Sequence, residues 1–127
     1  MDKSSLVSVD LETGSEVVLA LDKAKIKFNV ALWAHLPEYE DWRFVVSGRK
    51  FDSLRLTEAY GLLNDALRSF GIPVEKKPPI LILPLFDASI RALRRRYGKA
   101  EYVEGMRLGG QMFGDRFIED GYVYRIS

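Results

Sequence analysis

A chain of 127 residues is the size of one ordinary domain, and at that length neither a disulfide nor a metal is needed to close a core. The composition is 47% hydrophobic and 29% charged with 10 Gly and 5 Pro, which excludes disordered, collagen-like and low-complexity classes. Nineteen Lys+Arg against eighteen Asp+Glu leave +1, so no global field advertises a polyanionic partner, and the lack of cysteine removes thiol chemistry and Cys-ligated zinc.

Met1–Ser5 shows no basic region leading into an apolar run, so no signal peptide is expected. No apolar stretch approaches the ~20 residues of a membrane helix. The expectation is a cytoplasmic protein folded as one domain over residues 1–127. The only linker-like stretch, Gly71–Pro79, is a loop inside it.

Thr13 and Glu16 match a capping box, and Val17, Val18, Leu21 and Ala24 recur at helical spacing, predicting a helix to about Lys25. Leu6 and Leu11 allow an earlier start, near Ser5–Asp10. Over residues 26–36 the period falls to two: Phe28, Val30, Leu32, Ala34 and Leu36 share one face, and Lys27, Asn29, Ala31, Trp33 and His35 the other. Residues 42–47 resume the strand after Pro37–Asp41. A hairpin with a five-residue loop sets Leu36 against Trp42, Ala34 against Phe44 and His35 against Arg43.

Asp52 or Ser53 is expected to cap the most regular helix, with Leu56, Ala59, Tyr60, Leu63, Ala66, Leu67 and Phe70 on one stripe and Gly71 as a left-handed end. Ile80–Leu83 reads as a short strand central in the sheet. Asp87 caps a third helix, Ala88–Tyr97, closed by Gly98. The tail carries several strand-like pieces, with Asp120-Gly121 as the expected hairpin turn. The pattern predicts an α+β, two-layer domain: about three helices packed on a mostly antiparallel sheet, ordered α-β-β-α-β-α before a C-terminal β-hairpin.

The run Ala31-Leu32-Trp33, then Pro37-Glu38 and Trp42-Arg43, resembles small uncharacterised bacterial proteins with an "ALW…PE…WR" hairpin. The resemblance covers roughly the first half of the chain. It implies a bacterial, cytoplasmic origin and carries no catalytic residue.

Two groups of residues could form a binding surface. Trp33, His35, Arg43 and Arg49, with Lys27 and Asn29, would make an aromatic and basic sheet face able to stack on and hydrogen-bond a ligand. The competing reading puts Trp33 and His35 beneath a helix. Arg91, Arg94, Arg95, Arg96 and Lys99 cluster at a helix end and suit a phosphate-rich partner, or else form a solvated face that offsets the helix dipole. Glu38, Glu40 and Asp41 beside His35, the only histidine, are too confined to one loop to make a convincing metal site. Gly109-Gly110-Gln111 spells the tripeptide of peptide-chain release factors, but nothing around it resembles that domain, and a turn or bulge is the simpler reading. No phosphate loop or nucleophile elbow is present.

No cofactor is implied. The leading expectation is a non-enzymatic protein-interaction module with an unknown protein partner, and homo-oligomers could form through a sheet edge. The alternative is a nucleic-acid-binding protein using the Arg91–Lys99 helix end and the Trp33/His35/Arg43 face. A metal-dependent hydrolase ranks last. Contiguity of the sheet-face cations with the arginine helix would favour nucleic acid.

Overall fold

A computed structural model describes residues 6–127. It shows helix α1 (Ser8–Lys23), strands β1 (Val30–His35) and β2 (Arg43–Ser47), the short helix α2 (Arg49–Asp52) and helix α3 (Leu56–Phe70). A 3-10 turn (Val74–Lys76), strand β3 (Ile80–Ile82), helix α4 (Ala88–Tyr97) and strands β4 (Arg107–Phe113) and β5 (Arg116–Ile126) follow. The five strands form one sheet, ordered β3-β2-β1-β5-β4, antiparallel except for the β2–β3 pair. The expected α+β class is therefore what the chain adopts, closing on the β4–β5 hairpin.

Helices lie against both faces of the sheet. Val17 and Leu21 of α1 and Leu63 and Leu67 of α3 bury against Ala31, Trp33, Phe44 and Val46. On the opposite face, Ile90 and Leu93 of α4 meet Val30, Leu32, Val45, Leu108 and Val123. A sheet apolar on both faces does not fix strand register by alternation. The β1–β2 pairing indeed differs by one residue from the expected hairpin: Trp33 lies opposite Phe44, Leu32 opposite Val45 and Ala34 opposite Arg43.

Local signals near the other elements meet mixed outcomes. Helix α1 starts before Thr13, whose hydroxyl donates to the Val9 carbonyl at 2.8 Å. Asp10 instead accepts the Val7 N–H at 3.1 Å, close to the earlier start considered, of which Ser5 lies outside the described residues. Residues 49–52 form α2, so neither Asp52 nor Ser53 caps α3; its N-cap is Arg55, whose N–H Glu58 accepts at 3.1 Å. Gly71 ends α3 at φ 93, as expected.

Strand β3 is an edge strand, not a central one, because it pairs only with β2. Asp120-Gly121 lies inside β5, and the chain turns instead at Gly114-Asp115, between the paired Phe113 and Arg116. Gly114 takes φ 63 there, the first position of a two-residue loop. Gly14 sits within the continuous helix α1 for a spatial reason: the Tyr124 ring occupies the place a side chain would need, and its hydroxyl donates to the Leu11 carbonyl at 2.6 Å.

Candidate functional site

The aromatic and basic sheet face does not assemble as one surface. Trp33 is 3% exposed beneath α1, where its Nε1–H donates to the Asp10 carbonyl at 3.0 Å and its ring meets Phe44 edge-on at 5.3 Å. His35 is half-buried, its Nδ1 2.5 Å from Glu119 and its ring 5.3 Å from that of Trp42. Arg43, paired with Ala34, belongs to the other face and stacks over Tyr39 at 4.5 Å. The one-residue register difference separates it from Trp33 and His35.

The arginine helix divides as well. Arg96 donates to Gln111 Oε1 at 2.8 Å and lies over Tyr97, so it belongs to the contact between α4 and β4. That contact also engages the glutamine of the Gly-Gly-Gln run, which lies in β4 with Gly110 at φ 58. Arg91, Arg94, Arg95 and Lys99 remain together around a shallow concavity of about 470 Å³.

The other two cations expected on that face, Lys27 and Arg49, lie off the sheet, ahead of β1 and in α2, and there they meet this helix. Lys27 and Arg49 line a cleft of about 740 Å³ with Arg94, joined by Lys25 and Arg125. The cleft thus draws cations from the segment after α1, from α2, α4 and β5. Asp22 is its single acidic lining residue and is held by Arg125 through a bidentate pair at 3.0 and 2.9 Å. Arg125 also covers the Phe28 ring at 4.2 Å. Arg94 and Ser127 line both concavities, so the two basic surfaces are continuous. Among the described residues, Lys25, Lys27, Arg49, Arg91, Arg95 and Lys99 form no ion pair.

Close packing at Gly48 sets the geometry of this cleft. A Cβ there would sit 2.7 Å from Phe28 Cα and 2.9 Å from the Lys27 carbonyl. Without a side chain at 48, the Lys27-Phe28 backbone rests against the start of α2, and Lys27 and Arg49 come to share one wall. Lys25 adopts φ 61, turning the chain between α1 and this segment.

The carboxylates at the hairpin end are occupied differently. Arg116 donates to Glu38 Oε2, Asp87 Oδ2 and Ser89 Oγ, each at 3.3 Å. Burial alone would raise the Asp87 pKa, but the Ser89 hydroxyl, the Ile90 and Ser89 amides and Arg116 together hold it below its ordinary value. Glu38 is therefore engaged by an arginine, and no group of three His, Asp or Glu among the described residues is placed to hold a metal. A groove of about 490 Å³ between α1 and α3 is lined by three alanines and Phe70, with Lys23 and Ser69 as its polar lining residues.

Lys25 and Arg125 escaped the sequence reading. Arg125 reaches the cleft only because β5 pairs beside β1, setting it against Ala31 across 94 residues of chain, and no local pattern encodes that. Comparison with protein-family models, with curated proteins and with solved structures gave no match. No helix among the described residues is long and apolar enough to cross a membrane.

Proposed function

We propose that this protein is a non-enzymatic nucleic-acid-binding protein that engages phosphates through the cleft of Lys27, Arg49 and Arg94 and its continuation over Arg91, Arg95 and Lys99. The observation that carries this reading is the continuity: cations from four separate parts of the chain line one concave surface, with one acidic residue among them and that one already neutralised. Unpaired arginines and lysines on a concave surface suit phosphate oxygens, which arginine can meet bidentately. A bacterial, cytoplasmic setting belongs to the same proposal and rests on the hairpin resemblance.

Fluorescence anisotropy with a labelled oligonucleotide at 50 mM salt tests it. The expected result is saturable binding that weakens steeply with salt and disappears in Lys27→Glu/Arg49→Glu, with the melting curve unchanged. An oligonucleotide that does not bind, or binds the charge-reversed protein equally well, would overturn the proposal.

One observation favours the protein-interaction alternative. Leu56 and Phe86, 63% and 77% exposed, rim an apolar groove of about 220 Å³ beside edge strand β3. A pull-down that survives nuclease treatment but is lost in Phe86→Ser would favour this second reading.

A further inference from the structure

We infer that the nucleic acid held in this cleft is a single strand, gripped by its phosphates and not read through its bases; this rests on the nucleic-acid reading above. The shape of the cleft points to a strand. A volume of about 740 Å³ falls within the ~300–1,000 Å³ of sites for drug-sized ligands, the scale of one or two nucleotides. A duplex is a stiff, convex cylinder, and proteins that read it insert a helix or ribbon into a groove ~12 Å wide. Here cations from four parts of the chain line a half-open cleft, into which a flexible backbone can bend and across which a stiff cylinder can only lie.

The lining also says how the strand is held. Sequence-tolerant single-strand binding elsewhere often relies on aromatic platforms for the bases. Phe28, the aromatic among the cleft's lining residues, is 5% exposed and lies under the Arg125 guanidinium. The bound strand therefore has charge to meet and no exposed ring to stack on. Arg94, whose Nε donates to the Ser127 oxygen at 2.8 Å, stands between two phosphate seats: one in the cleft with Lys27 and Arg49, the other over Arg91, Arg95 and Lys99. A backbone that bends around Arg94 can occupy both.

The test compares a labelled twelve-residue oligothymidine, a mixed-sequence single strand of equal length and the corresponding duplex, by anisotropy across 50–200 mM salt. Both single strands should bind equally, within about threefold, and at least tenfold tighter than the duplex. Each phosphate neutralised on a single strand contributes about −0.7 to the slope of log K against log salt. Two occupied phosphate seats therefore give a slope near −1.4, or roughly a sevenfold loss over that range. Arg49→Ala and Arg95→Ala should each flatten the slope by about 0.7. Duplex binding as tight as the single strands would overturn this inference and leave the proposed function standing. A base preference above tenfold would overturn the phosphate-only grip. Failure of all three probes to bind would remove the proposed function itself.

Discussion

The sheet around Trp33 and the cleft around Arg49 both contain candidates for a binding surface, yet the fold closes the first and leaves the second open. Trp33 has a partner for its ring in Phe44 and for its N–H in Asp10, so covering it with α1 leaves its own indole N–H satisfied. The cations of the cleft are long, charged and mostly unpaired, and a helix lying over them would have to desolvate them. An aromatic with an internal hydrogen-bond partner can be buried without loss, whereas unpaired cations must stay wet or meet a counter-charge.

The hairpin end sharpens the contrast. Arg116 is the same residue type as Arg49, but it ties Glu38 and Asp87 together beside the start of α4. One arginine holds the fold together, and the other forms no ion pair among the described residues.

The largest effect expected of a single change is at Leu63, fully buried in the layer that covers Trp33. Leu63→Asp should abolish the cooperative thermal transition, because an unpaired buried carboxylate costs several kcal/mol against a total stability of about 5–15 kcal/mol. An unchanged melting midpoint would remove α3 from the core. Trp33→Ala should cost about 3–5 kcal/mol in denaturant titration. A loss below about 1 kcal/mol would mean that the sheet face is open after all.

Arg116→Met should cost about 1–3 kcal/mol by leaving Asp87 without its guanidinium partner. The same measurement on Arg49→Ala should stay within about 0.5 kcal/mol of the parent, although binding weakens. Equal losses at the two arginines would erase the distinction between the ends. The smallest effect is in acid. Asp87 titrates below its ordinary value when folded, so its contribution is present above the unfolded pKa of 3.8 and is lost as pH falls below that value. Between pH 5 and 2, Asp87→Asn should therefore lose less melting temperature than the parent chain. A parallel decline in the two proteins would show that Asp87 is not linked to folding.

The elements most legible in the sequence are those whose signals are local. Helix α4 follows from Asp87, whose side chain accepts from the Ser89 and Ile90 amides, and α3 ends where Gly71 permits it. The β1–β2 register was not legible, because apolar residues on both faces satisfy either pairing. The hairpin turn was misplaced for a related reason. Asp120-Gly121 has the chemistry of a turn, but Gly121 packs against β1 in the sheet, where a Cβ would lie 3.0 Å from the Trp33 carbonyl. Of the cleft, the arginines on α4 are legible as a cluster, whereas Lys27 and Arg49 read as members of a sheet face that does not form. Their meeting depends on Gly48 and on the placement of β5 beside β1, which are properties of the assembled sheet.

Strand β3 carries a consequence for self-association. Only three residues long, it follows Pro78-Pro79 and is separated from Pro84 by Leu83 alone, and the Ile82 N–H is already accepted by the Tyr60 hydroxyl at 2.9 Å. A sheet margin this short, bounded by imino acids and with a donor already taken, is a poor template for another chain. Growth of the sheet by strand addition is thereby directed to β4, at the opposite margin. In concentrated solution the molecule therefore has one side protected against the runaway edge-to-edge stacking that produces fibrils.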